Sequence, residues 1–136
     1  ENRLSMSKPG LSPLEVAHLA FQEFSDGLAT GNWDGFLERL TDDFSFWFPS
    51  GMYHGLNQGK PRAEEFFRYV TTAFTPGLTV ILDGVTSNET TVMFELRSEG
   101  QLNGQPYKNR VAVAFDIRGE KICGYREYFG SDGKSY

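Results

Sequence analysis

The sequence is poor in the residues that build disulfide frameworks and metal sites. It contains one cysteine, Cys123, and two histidines, His18 and His54, among 136 residues. A single cysteine excludes an intramolecular disulfide, and so few thiol and imidazole groups argue against a zinc site. No motif indicates a nucleotide, a flavin or a metal. We therefore expect a protein that works without a cofactor.

An excess of positive charge and long apolar runs are also missing. Thirteen Lys and Arg residues stand against 18 Asp and Glu, a net charge of -5, which argues against a broad interface with nucleic acid. The longest apolar runs, such as residues 111–115, are far too short to span a bilayer. Residues 1–10 lack the apolar segment of a signal peptide. These features predict a cytoplasmic protein that binds neither nucleic acid nor membranes.

Aromatic residues, in contrast, are abundant: 12 Phe, 6 Tyr and 2 Trp make up 15% of the chain. So much apolar surface excludes a disordered chain, because its burial offsets the entropy lost on folding. The length fits a single domain. We place this domain at residues 12–130, between flexible segments at residues 1–11 and 131–136.

The first part of the domain has the pattern of helices. Ser12, Pro13 and Glu15 are typical of a helix start, and Gly31 of a left-handed helix end. The apolar face recurs at three- and four-residue spacing and comprises Leu14, Ala17, Phe21, Phe24 and Leu28. Asn32 is predicted to cap a short second helix.

The middle of the chain is predicted to hold one strand and a third helix. Residues 41–43 are expected to form a turn, followed by an aromatic strand at residues 44–48 and a glycine-rich loop at residues 50–59. Pro61 begins the third helix, and Pro76 with Gly77 ends it.

From there the apolar pattern has a period of two, which predicts strands. The strands are expected at residues 79–85, 90–98, 107–117 and 121–129. Their short connections favour antiparallel hairpins. The order α-α-β-α-β-β-β-β predicts an α+β fold, with the helices on one face of a mixed or mainly antiparallel sheet.

Strand alternation predicts which side chains face the helices. In the first long strand these are Val92, Phe94 and Leu96. The next strand contributes the row Tyr107, Asn109, Val111, Val113, Phe115 and Ile117. The last strand leaves two alternatives open: either Ile122, Gly124, Arg126 and Tyr128 point inward, or Cys123, Tyr125, Glu127 and Phe129 do.

Three segments carry a resemblance to a known family. They are residues 24–48 with the sequence GNWD at 31–34, residues 59–70, and residues 109–129 ending in YREYF. With the order of elements, they resemble the nuclear transport factor 2-like superfamily and its SnoaL-like branch of polyketide cyclases and ketosteroid isomerases. The resemblance implies a cone-shaped, strongly curved sheet around three helices, a deep pocket at one end, and a homodimer formed through the outer sheet face.

The ketosteroid isomerase site does not carry over to this sequence. The position of its oxyanion tyrosine corresponds to Phe24 and that of its catalytic aspartate to Phe48, while its remaining acid falls near Asn109 or Arg110. A phenol and a carboxylate are thus replaced by phenylalanine, which argues against steroid-type isomerisation.

The cyclase and epoxide hydrolase relatives imply an acid on the last strand, and Glu127 matches it. The hydrolases also use an arginine and an aspartate two residues apart on the middle strand. The nearest pair here, Glu95 and Arg97, has the reverse order and is expected to face outward, which argues against their water-activating triad.

We therefore expect a small-molecule pocket protein, with Glu127 and His54 as candidate catalytic residues. Candidate ligand-binding residues are Asn109, Tyr125, Phe24, Phe48, Phe66, Val111, Val113 and Phe129. An apolar pocket would raise the pKa of Glu127 towards values useful in acid/base catalysis. Such chemistry would isomerise, cyclise or dehydrate a small hydrophobic substrate.

Simpler interpretations stay open for each polar candidate. Glu127 could pair with Arg110 or Arg126 on the outer face, Asn109 could satisfy a loop carbonyl, and His54 could be a solvated loop residue. The alternative function is a non-catalytic ligand-binding or dimerisation module. The outward row of Met93, Glu95, Arg97, Ala112 and Ala114 suits a homodimer interface.

Overall fold

Residues 10–130 are described by the computed structural model, in which three helices pack against one face of a six-stranded mixed sheet. The helices are α1 (Pro13–Thr30), α2 (Asp34–Glu38) and α3 (Lys60–Ala73). The strands are β1 (Leu40–Phe48), β2 (Gly55–Gln58), β3 (Thr79–Ser87), β4 (Thr91–Leu102), β5 (Gln105–Arg118) and β6 (Lys121–Gly130). Residues 1–9 and 131–136, which we assign to the flexible ends, lie outside the described residues. None of the helices within residues 10–130 has the length and apolar character needed to cross a membrane.

Helix α1 begins and ends at the predicted residues. The Ser12 hydroxyl accepts a hydrogen bond from the Glu15 amide at 3.1 Å, and the Glu15 carboxylate accepts one from the Ser12 amide at 2.9 Å. At the other end Gly31 adopts a φ of 80°, the left-handed conformation that glycine favours. The predicted apolar face is wrong at one position: Leu14 is 41% exposed, whereas Val16 is fully buried.

Two predictions in the middle of the chain are wrong. Residues 41–43 belong to β1, which begins at Leu40 because this segment pairs with the last strand. The predicted loop at residues 50–59 contains the 3-10 helix Gly51–Tyr53 and strand β2. Strand β2 is a short edge strand paired with β1, and its four residues are too few to show an alternating pattern.

The sheet has the order β2-β1-β6-β5-β4-β3. Strands β1 and β6 are parallel, and all other neighbours are antiparallel. Pairing shifts by one residue within β3–β4 and within β5–β6, and such bulges bend a sheet. The curved, unclosed sheet around the helices confirms the predicted α+β fold.

A bulge also explains why the last strand allowed two interpretations. Gly124 pairs with Asp116 and Ile122 with Ile117, so Cys123 has no partner across the pair. The inward positions therefore change parity at Cys123: Ile122 before it is fully buried, and Tyr125 after it is only 1% exposed. Each alternative is right for one part of the strand.

Candidate functional site

A cavity of about 340 Å³ opens between the helices and the concave face of the sheet. Its lining includes eight of the ten candidate residues from the sequence: Phe24, Phe48, Phe66, Val111, Val113, Tyr125, Glu127 and Phe129. The remaining lining is largely apolar and comes from α1, α3, β4, β5 and the residues that follow β1 and α3. The structure thus brings together residues that are up to 105 positions apart in the sequence.

The rim of the cavity is fixed to helix α3. Tyr53, in the 3-10 helix, donates its hydroxyl to the Glu65 carboxylate at 2.7 Å. The Arg62 guanidinium lies over the Tyr53 ring, 4.3 Å from its centre, and donates to Glu65 at 2.6 Å. The neighbouring Met52 is 71% exposed although it lines the cavity. At the entrance, the exposed, unbranched side chain of Met52 therefore lies beside the hydrogen-bonded ring of Tyr53.

Glu127 is the one carboxyl group that lines this cavity within residues 10–130. It lies on β6 opposite Val113 of β5, with its side chain turned inward. The buried Tyr125, two residues earlier on the same face, donates its hydroxyl to Glu127 Oε1. Burial raises the pKa of Glu127 to about 7, and the Tyr125 hydrogen bond opposes this rise.

The nearby arginines do not neutralise Glu127. Arg126 points to the other face of the sheet, where it forms an ion pair with Asp116, Nη2 to Oδ1 at 3.1 Å. Arg110 is exposed. Among the described residues no cationic group lies within ion-pair distance of Glu127. The outward alternative for Glu127 is therefore wrong.

Asn109 is buried behind the cavity surface, not on it. Its side-chain amide donates to the Tyr107 hydroxyl, Nδ2 to Oη at 2.8 Å, and its Oδ1 accepts from the Arg110 backbone amide at 2.9 Å. Tyr107 does line the cavity. Burial raises the pKa of Tyr107, and the charge of Glu127 adds to the rise. Strand alternation predicts that Tyr107 faces inward, and this is the sequence signal for its place in the cavity. The alternation does not indicate a role for its hydroxyl.

His54 lies apart from the cavity. Its side chain is exposed, and its ring centre is 6.2 Å from that of Trp47 in an edge-on arrangement. Trp47 in turn stacks on Tyr128, which is 44% exposed on the side of β6 away from the cavity. The structure therefore does not bring His54 to Glu127 or into the cavity lining.

The positions that correspond to the catalytic residues of ketosteroid isomerases and epoxide hydrolases hold side chains that are either apolar or far from the cavity. Phe24 and Phe48 line the cavity as aromatic rings. Glu95 and Arg97 are exposed, and Arg97 forms a two-pronged ion pair with Asp83 at 2.9 Å. Residues 10–130 also contain no group of three His, Cys, Asp or Glu side chains arranged to hold a metal ion.

Comparison with known families agrees with this architecture. The model of the SnoaL-like domain matches residues 21–125, more than three quarters of the chain. The chain belongs to the SnoaL-like domain family. No functionally curated protein matches it.

Solved structures place this SnoaL-like protein among nuclear transport factor 2-like folds. A nuclear transport factor 2-like protein from Anabaena variabilis ATCC 29413 is 61% identical, with 96% of this chain and 99% of the other aligned and a TM-score of 0.87. An epoxide hydrolase-like structure from M. tuberculosis is 18% identical over 85% of this chain and 83% of the other, with a TM-score of 0.67. TerC, co-crystallised with polyporic acid, is 19% identical over 87% and 91%, with a TM-score of 0.71.

Proposed function

We propose that this SnoaL-like protein binds a small, neutral, hydrophobic molecule in its cavity and that Glu127 moves a proton on that molecule without a cofactor. The observation that carries the proposal is a solitary, inward carboxyl with a pKa of about 7 in an apolar cavity. A group with this pKa takes up and releases protons at neutral pH, as acid/base catalysis requires.

The lining favours a neutral ligand over an anionic one. Lysine, arginine and histidine are absent from the described lining, and Glu127 supplies the one group there that becomes a carboxylate near pH 7. An anionic ligand would have no opposite charge to meet and would force Glu127 to stay protonated. The many aromatic rings instead offer apolar surface for a flat hydrophobic molecule.

The same carboxyl supports a reaction in which one proton is removed and one is returned. In the dehydration of a β-hydroxy ketone, Glu127 takes the proton from the carbon between the carbonyl and the hydroxyl-bearing carbon. The carbon–oxygen bond then breaks, and the same proton leaves with the hydroxide as water. Isomerisation and cyclisation have an equivalent balance, since each returns the proton to another atom. The fully buried Tyr125 holds the carboxyl in place.

A non-catalytic binding module is the competing function, and the aromatic rings at Phe24 and Phe48 favour it. Binding alone needs the apolar cavity and no proton transfer. The two functions therefore share the ligand and differ in whether Glu127 transfers a proton, so the Glu127→Gln variant distinguishes them.

If the ligand binds in the cavity, a larger side chain that fills the cavity should block ligand binding. Ala73 lines the cavity from the last turn of α3 and is 5% exposed. Ala73→Trp should weaken binding of a neutral naphthyl ketone at least about tenfold, since the indole occupies ligand space. Solvatochromic emission of the ketone measures the affinity.

The neighbouring Thr72 provides the matched control. Its side chain is exposed on the same helix, so Thr72→Trp should bind the ketone as the wild type does. A folded Ala73→Trp variant, by circular dichroism, with wild-type affinity would show that the ketone does not occupy this cavity.

We also propose a homodimer through the outer face of the sheet. On this face Met93 and Ala112 are half-buried beside a shallow groove. Small and apolar side chains allow two sheets to approach closely. Light scattering at micromolar concentration should give the mass of two chains, and a monomer mass would contradict the dimer.

A further inference from the structure

We propose that Tyr107 is a polar group that the ligand meets and that Asn109 is its positioning residue. The Tyr107 hydroxyl donates a hydrogen bond into the cavity, to an oxygen acceptor such as a ketone carbonyl. This inference rests on the proposed ligand-binding role of the cavity and deepens it, since it names the class of ligand: a neutral carbonyl compound.

The direction of the hydrogen bond follows from the Asn109 side chain. Its Oδ1 accepts from the Arg110 backbone amide at 2.9 Å, and a backbone amide can only donate. This contact fixes the amide so that Nδ2, a donor, faces the Tyr107 oxygen at 2.8 Å. Tyr107 Oη is therefore an acceptor towards Asn109, and its own hydrogen is left for another partner.

No side chain or backbone group within residues 10–130 accepts that hydrogen at hydrogen-bond distance, while Tyr107 lines the cavity. Tyr107 is half-buried at the cavity surface, and a donor there without a protein acceptor favours an acceptor supplied by a ligand. Burial and the charge of Glu127 both raise the pKa of Tyr107. The phenol therefore keeps its hydrogen at neutral pH.

The position of the Tyr107 ring is also defined. It packs edge-on against Phe74 at the end of α3, with ring centres 4.9 Å apart. Its strand position faces Gly100 of β4, and Leu78 packs over that glycine. A ring held in this way presents its hydroxyl at one point of the cavity wall.

The cavity then has a carboxyl group and a phenol on adjacent strands. Glu127 lies on β6 opposite Val113, and Tyr107 lies six residues before Val113 on β5. A ligand carbonyl bound to Tyr107 is held at a fixed place relative to the carboxyl.

The test compares a neutral naphthyl ketone with the analogue in which a methylene group replaces the carbonyl. Tyr107→Phe should weaken binding of the ketone about threefold to tenfold, the value of one hydrogen bond, and leave the analogue unchanged. The infrared carbonyl stretch of the bound ketone should move to higher frequency in the variant, because the hydrogen bond is lost.

Asn109→Asp tests the positioning role. Above neutral pH an aspartate at this position accepts the Tyr107 hydrogen and turns it away from the ligand. The carbonyl stretch should then move as in Tyr107→Phe, although the phenol is still present. Asn109→Leu, which removes the donor without adding an acceptor, should shift the carbonyl stretch less than Asn109→Asp does. A purely structural role for Asn109 would change stability and not this frequency.

An unchanged carbonyl stretch in Tyr107→Phe, or equal weakening of both compounds, would overturn the inference. Because the readouts are binding and a vibration, they do not depend on turnover. A Glu127→Gln variant with full turnover would reject the proposed chemistry while the Tyr107 contact stood. A wild-type protein that binds neither compound would overturn both.

Discussion

Glu127→Gln should lower the rate of proton-transfer chemistry by about 10²- to 10⁴-fold, the usual contribution of one general acid or base. Glutamine has nearly the same shape and still accepts a hydrogen bond from the Tyr125 hydroxyl, but it does not take up a proton. Binding should therefore change little. Dehydration of a neutral β-hydroxy ketone is a direct assay, because the conjugated product absorbs in the ultraviolet.

Glu89→Gln is the matched control for this substitution. It makes the same chemical change at an exposed position in the turn between β3 and β4, and should keep the wild-type rate. Full turnover by Glu127→Gln would reject the catalytic role. Weaker binding with an unchanged rate per bound ligand would make Glu127 a recognition residue and favour the binding module.

The second large effect is on stability, and its sign depends on pH. The pKa of Glu127 rises from 4.5 to about 7 on folding. Between these values the folded state binds more protons than the unfolded state, so stability falls as pH rises. The stabilisation that comes with the protonated carboxyl is fully present below pH 4.5 and is lost as the pH rises through 7. The cost at higher pH reaches up to about 3 kcal/mol.

Glu127→Gln removes this pH-dependent cost. The variant should be more stable than the wild type at pH 8.5, by up to about 3 kcal/mol, and close to it at pH 4. Urea unfolding at the two pH values measures the difference. An equal difference at both values would mean that Glu127 has the same pKa in the folded and unfolded chains.

The local signals of the sequence were sufficient to place the ends of α1. The ends of α1 follow from hydrogen bonds of Ser12, Glu15 and Gly31 within one turn of the helix, so adjacent residues contain the information. Strand β1 was predicted four residues too short because its first part is defined by pairing with β6, more than 80 residues away. Long-range pairing of this kind leaves little trace in composition.

In the candidate site, too, some features follow from the local sequence pattern and others depend on long-range pairing. Its apolar lining follows from strand and helix alternation, but the inward direction of Glu127 depends on the bulge at Cys123, which results from pairing with β5. His54 was assigned to the rim from its loop alone. Tyr107 was overlooked because its role arises from a hydrogen bond to Asn109, a contact between inward neighbours that the alternating pattern does not distinguish from simple packing.

The most direct test of the account is the pKa of Glu127 itself. Carbon-13 NMR of protein labelled at the glutamate carboxyls follows each group through a pH titration, and the resonance missing from Glu127→Gln identifies the relevant one. The account predicts a midpoint of about 7 for this resonance. A midpoint near the ordinary 4.5 would mean a solvated carboxylate and would contradict the proposed acid/base function.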